Sequence, residues 1–121
     1  MRALPLVLLL SAAAGCAGRF PRLERTVLTR DQLRDGGYPS LYEAVTSLRG
    51  GWLRARSPAT LSSRGRLWVY VDDRRLGGTE ALRDIAPDSV RSVRLVDGAT
   101  ATVRWGLEHG DGVIEVATTR R

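Results

Sequence analysis

Lysine is absent from the 121-residue chain, and cysteine, histidine and methionine occur once each. One cysteine forms no internal disulfide, and one Cys with one His falls short of the three or four N/S ligands usual for zinc. Disulfide scaffolds and zinc folds are thereby excluded, and neither a metal nor a cofactor is expected. Apolar runs stay well under the ~20 residues of a bilayer-spanning helix, which excludes a multispanning transporter. What remains, 43% hydrophobic and 26% charged residues with 13 Gly and 5 Pro, suits one small globular domain.

With no lysine, all 19 basic residues are arginine; set against 13 acidic residues they give a net charge of +6. Basicity alone points to nucleic acid. The arginines, however, are scattered from Arg19 to Arg121 among Asp and Glu. An Arg-only, Ala/Gly-rich composition is also what a GC-rich genome produces through codon choice. A dispersed charge makes a solvated surface, and nucleic acid is not expected as a partner.

The N-terminus runs Met1-Arg2, then uncharged residues from Ala3 to Ala14, then Gly15-Cys16. One positive charge, a short apolar segment and a small-residue cleavage zone are the parts of a secretory signal peptide, here residues 1–15. Ala13-Ala14-Gly15-Cys16 resembles the lipobox of bacterial lipoproteins, with Ala13 where Leu is commoner. The resemblance implies cleavage before Cys16, a diacylglyceryl group on its sulfur and a further acyl chain, such as palmitate, on its new amino group. An unpaired thiol is a liability in an oxidising compartment, which agrees with lipidation. Ala17 in place of the Asp of an inner-membrane retention signal implies sorting to the outer membrane. More than one acyl chain is what stable anchoring requires. Residues 16–25, with Arg19, Pro21, Arg22 and Arg25, lack apolar periodicity and read as a lipidated tether.

The domain proper is expected over residues 26–121. Thr29-Arg30-Asp31-Gln32 has capping-box spacing and predicts a short helix that stops at Gly36-Gly37. Ser40-Leu41-Tyr42-Glu43 opens a second helix, with Leu41, Ala44, Val45 and Leu48 on one face and a positive-φ stop at Gly50-Gly51. Trp52 to Arg56 is expected as a strand, followed by a polar loop through Gly65. Leu67 to Val71 is apolar on both faces, as in a central strand, and Asp72-Asp73 turns the chain. Thr79 is expected to cap a helical turn that ends near Pro87. Val90 to Val96 alternates as a half-buried strand; Ala99 to Trp105 forms a short helix closed by Gly106, and Val113 to Ala117 is the last strand. Helical and strand segments mixed in one short chain predict an α+β fold with a small mixed sheet.

From Val69 onward the order of pieces resembles the plug domain of TonB-dependent outer-membrane receptors. That family has an apolar strand ending in Asp-Gly, then a segment built on Ile-x-Pro, then a Gly-led small-residue helix ending in Tyr-Gly, then Gly-x-Gly-Val-Ile. Here the counterparts are Val69-Tyr70-Val71-Asp72, Ile85-Ala86-Pro87 through Leu95, Gly98 to Trp105-Gly106, and Gly110-Asp111-Gly112-Val113-Ile114. Leu41-Tyr42-Glu43-Ala44-Val45 falls where plugs carry a Leu-x-x-Ala-Leu helix. Asp73 and Asp97 depart from the family's Gly and basic residue, residues 17–28 hold no convincing TonB box, and Arg121 ends the chain where a receptor continues into its barrel. The resemblance implies a plug-like fold without a barrel, and a habit of contacting an outer-membrane partner.

Gly98, Gly106, Gly110 and Gly112 are read as structural turn residues. Gly110-Asp111-Gly112 lacks the Lys and the following helix of a phosphate loop. His109, between Glu108 and Gly110, is expected on the surface, and no Gly-x-Ser-x-Gly elbow accompanies it, so no enzyme is expected. Asp72 with Asp73, and Glu108 with Asp111, lack EF-hand spacing and read as solvated turn carboxylates. Trp52, Trp68, Tyr70 and Trp105 are expected to pack rather than to stack on a ligand. Arg54, Arg56, Arg64 and Arg66 form the densest basic region and are the candidates for meeting lipopolysaccharide phosphates, anionic lipid or an acidic partner. The expected function is that of a lipid-anchored, non-enzymatic binding module with its domain on the periplasmic side of the outer membrane. The alternative is an envelope module that captures a small or anionic molecule.

Overall fold

A computed structural model describes residues 25–54 and 66–119. The expectations for the signal segment, for Cys16 and the tether before Arg25, and for Arg56 and Arg64 lie outside the described residues.

The first strand, β1 (Val27–Thr29), runs directly into helix α1 (Arg30–Asp35). Thr29 ends the strand and caps the helix: its hydroxyl accepts from the Gln32 N–H, and the Gln32 side chain accepts from the Thr29 N–H at 3.0 Å. This reciprocal box is the one its spacing predicts. Helix α2 (Leu41–Arg49) is capped by Ser40 through the Glu43 N–H and buries Leu41, Ala44 and Val45. It does not stop on a positive-φ glycine: Gly50 sits at φ −54°, and the chain continues into a 3₁₀ turn, Gly50–Leu53. The described part of the strand expected from Trp52 to Arg56, residues 52–54, is therefore not a strand. Trp52 packs into the core at 5% exposure and donates its indole N–H to the Arg25 carbonyl at 3.2 Å, an anchoring that local propensity does not encode.

β2 (Trp68–Val71) and β3 (Arg74–Gly77) form a hairpin. Its turn residues, Asp72 at φ 46° and Asp73 at φ 67°, both take the left-handed backbone that tight hairpins use. A 3₁₀ turn, Thr79–Asp84, follows; Gly78, and not Thr79, holds its cap position, without a side-chain bond. A second 3₁₀ turn, Pro87–Ser89, leads into β4 (Val90–Val96). Helix α3 (Gly98–Trp105) is capped by the Asp97 carboxylate and ends at Gly106, φ 111°. A last 3₁₀ turn, Leu107–His109, precedes β5 (Val113–Thr118).

The five strands make one open mixed sheet in the order β1-β4-β5-β2-β3. β5 pairs with β2 in parallel, and the other three ladders are antiparallel. The fold is thus α+β with short helices, and the sheet keeps two edges, β1 and β3.

Strand alternation sorts the core to the two faces. On the first face Leu28, Val69, Val93, Ile114 and Val116 meet Leu33 of α1, Leu41 and Val45 of α2, and Leu82. All are buried, and each such side chain contributes about 1.5–3 kcal/mol of apolar burial. On the second face Tyr70, Val96 and Val113 meet Ala101 of α3, with Trp68 and Trp105 packed alongside. β2 is accordingly apolar on both sides because both sides are covered.

Candidate functional site

Backbone geometry builds the second face. Gly98 lies so close to Gly110 that a Cβ on it would stand 1.9 Å from the Gly110 carbonyl oxygen. Gly112, at φ 103°, has the Val96 carbonyl 2.6 Å from where its Cβ would be. Gly110 itself takes an ordinary right-handed conformation, φ −59°, and contributes its carbonyl to that contact. These approaches clamp the start of α3 against the turn before β5. Gly106 then folds the Leu107–His109 turn back under the sheet, and the His109 N–H donates to the Gly106 carbonyl at 3.2 Å.

The consequence corrects the expectation of a surface histidine: His109 is 3% exposed. Its Nδ1 lies 3.1 Å from the Gly106 carbonyl and its Nε2 2.9 Å from the Tyr70 hydroxyl. A carbonyl only accepts, so Nδ1 carries the proton, and Nε2 accepts from Tyr70. Both ring nitrogens are committed to structural bonds. A polar neighbourhood in sequence, Glu108 and Gly110, hid the burial, which depends on the reversal at Gly106. Around the imidazole stand Tyr70, Trp68 and Trp105, at ring separations of 5.7, 6.2 and 6.2 Å, and Tyr70 packs on Trp105 at 4.7 Å. The aromatic side chains pack as expected.

Three arginines lie over this aromatic layer. Arg104 sits 4.3 Å from the Trp105 ring centre and is paired with Asp73 at 3.0 Å and Glu115 at 3.1 Å. Arg66 and Arg75 lie 5.2 and 4.7 Å from the Trp68 ring centre. Cation–π contact of this kind holds a guanidinium in place without consuming its N–H donors. Among the described residues the carboxylate that pairs with one of these two guanidinium groups is Glu108, 3.7 Å from Arg75; its backbone carbonyl also accepts the Trp68 indole N–H at 3.1 Å. Among the described residues no carboxylate pairs with the Arg66 guanidinium. Its backbone N–H is fixed by Asp111 Oδ2 at 3.0 Å, and the other Asp111 oxygen is buried without a partner. Arg66, Trp68, Arg75 and Glu108 enclose a cleft of about 280 Å³.

Of the two described arginines among those singled out in the sequence, Arg54 and Arg66, it is Arg66 that lines this cleft. Arg54 follows the turn that carries Trp52, whose ring belongs to the first core. Arg75 is the residue that sequence reasoning missed. It reaches the cleft because the hairpin register sets it opposite Tyr70, and the signal for that hairpin was the Asp72-Asp73 pair.

A second concavity of about 950 Å³ runs beside β3, with Val71, Leu76, Ile85 and Ala86 on its apolar wall and Asp72, Arg74 and Asp84 on its rim. Leu76 is 52% exposed there, on a strand whose outer edge no described strand covers. The Asp72 carboxylate accepts from the Thr118 hydroxyl and, at 3.0 Å, from the Thr118 N–H. Those bonds, the hydroxyl's first, hold its pKa below the ordinary carboxylate value, with Arg91 adding to the effect. Asp97 is lowered in the same way by the hydroxyl and N–H of Thr100. Asp72 is thus an exposed turn carboxylate, as expected, and one that is also tied to Thr118.

Among the described residues no three potential metal ligands cluster, and no helix is long and apolar enough to cross a membrane. Compared with known proteins, the chain matches no family model, and neither a curated protein nor a solved structure matches it.

Proposed function

We propose that this chain is a small, non-enzymatic binding module of the cell envelope, anchored in the outer membrane through lipid on Cys16, whose plug-like domain docks a protein partner. The observation that carries the docking part is the groove beside β3, where half-exposed Leu76 and the side chains of Val71 and Ile85 lie along a strand edge that no described strand covers. An open edge offers backbone donors and acceptors in a row, and the apolar wall offers burial, which together suit an extended segment of another protein. The absence of a catalytic role is supported by His109, whose nitrogens are both occupied. The address rests on the lipobox-like Ala13 to Cys16 and the plug-like order of segments from Val69 to Val116.

A photo-crosslinking side chain in place of Leu76 tests the docking surface in cells, with exposed Ser47 on α2 as the control position. One discrete envelope protein captured from position 76 and not from 47 is the expected result. Equal capture from both positions refutes the groove as a docking surface. Intact mass of the native protein beside Cys16→Ser tests the anchor: a chain beginning at Cys16 with acyl mass, lost in the variant, is expected. A second reading, capture of a small anionic molecule, is favoured by the cleft formed by Arg66, Trp68 and Arg75.

A further inference from the structure

We infer that the cleft of Arg66, Trp68, Arg75 and Glu108 is a phosphate-binding site; this rests on the second reading above and narrows it to one chemical class. Two guanidinium groups are drawn to one indole ring, at 5.2 and 4.7 Å, so their approximate positions are set before any ligand arrives. Pre-positioning of this sort lowers the ordering cost of binding. β2 supplies the ring, the hairpin supplies Arg75, and the Asp111 bond to the Arg66 N–H anchors the other arm.

The arrangement of guanidinium donors points to the ligand. Among the described residues Glu108 is the one carboxylate paired with either guanidinium, and it is loosely held, 3.7 Å from Arg75 with about half of the Arg75 side chain and more of Glu108 exposed, while Asp111 is taken up by the Arg66 backbone N–H. A carboxylate ligand would duplicate what Glu108 already offers Arg75, with two oxygens for one fork. A phosphate monoester carries about −1.5 to −2 charge at neutral pH and three acceptor oxygens, enough to engage both guanidinium groups together. It therefore displaces Glu108 from Arg75 and also satisfies Arg66, which has no carboxylate partner among the described residues. The cleft, about 280 Å³, is at the small end of ligand sites and suits a headgroup or a single phosphate. Glu108 on the rim then acts as a competitor, so that removing its charge strengthens binding. A merely solvated arginine surface has no such asymmetry.

The test uses the purified 121-residue chain and follows the Trp68 indole N–H resonance, assigned with Trp68→Phe, alongside calorimetry. The probes are inorganic phosphate, glycerol phosphate, succinate, and vesicles of phosphatidylglycerol or phosphatidylcholine. Arg66→Gln and Arg75→Gln each weaken phosphate binding about tenfold or more. Glu108→Gln strengthens it several-fold, and Arg30→Gln on exposed α1 leaves it unchanged. Binding of the soluble phosphates with this pattern supports a free phosphorylated ligand. Arginine-dependent binding of phosphatidylglycerol over phosphatidylcholine, with none of the soluble phosphates, supports a lipid headgroup as the source. Succinate binding without any phosphate binding overturns the phosphate site and leaves anion capture standing. No binding of any probe overturns both, as does phosphate binding that is indifferent to Arg66, Arg75 and Glu108.

Discussion

Replacing Tyr70 with Phe removes one oxygen atom from the second face and leaves the ring packing in place. The missing hydroxyl is the only described partner of His109 Nε2, 2.9 Å away, and the imidazole is 3% exposed, so water does not readily take its place. An acceptor left unsatisfied in such a setting costs about 1–3 kcal/mol. For a domain of this size that corresponds to a fall of roughly 4–8 °C in Tm per kcal/mol. Urea unfolding at neutral pH followed by circular dichroism measures it, and His109→Leu with and without Tyr70→Phe completes a double-mutant cycle. The two changes are expected to couple by about 0.5–3 kcal/mol, because loss of either partner already orphans the other. The imidazole nitrogen shifts in the unmodified protein are expected to report the proton on Nδ1 that the Gly106 carbonyl requires. A Tyr70→Phe cost below about 0.5 kcal/mol, within the range of ordinary surface changes, or a proton found on Nε2, would refute this account of the buried pair.

Three further outcomes test the fold. Gly98→Ala is expected to destabilise by more than about 1 kcal/mol, because its Cβ meets the Gly110 carbonyl at 1.9 Å and backbone has to move; an unchanged melting temperature would contradict the clamp between α3 and β5. Asp72→Asn keeps a residue tolerant of φ 46° but removes the carboxylate that Thr118 stabilises. Because the folded-state pKa of Asp72 is lowered, its contribution is present above the unfolded pKa and fades as pH falls through the folded value. The variant's stability is accordingly expected to lose part of its acid-range pH dependence, and superimposable pH profiles would count against the assignment. Leu41→Ala, at a fully buried position between α2 and the sheet, is expected to cost about 2–5 kcal/mol in chemical unfolding.

The residues that announce themselves are those whose role is local. Thr29 and Ser40 read as helix caps because a hydroxyl bonding an N–H a few residues on is an interaction within one turn. β4 followed from side-chain alternation, and α3 from a run of small residues closed by Gly106. β1 and β3 were not legible: one is three residues long, and the other reads Arg-Arg-Leu-Gly, so neither carries enough alternation to mark a strand. Each exists because a neighbouring strand offers it a ladder. Trp52 likewise looked like part of a strand and became an anchor, since its indole found the Arg25 carbonyl 27 residues away in sequence.

The candidate site divides along the same line. Sequence by itself determined the arginine-only basicity, the lone Cys16 after an uncharged stretch, the α+β class and the two-sided apolarity of β2. Tertiary structure alone decided that His109 is interior, that Arg75 joins Arg66 over Trp68, and that Leu76 faces an open groove. The reason is physical: caps and periodicity act over one or two turns, whereas the cleft is assembled by a hairpin register and by a close glycine contact between segments a dozen residues apart. Such contacts form only when the whole sheet closes around them.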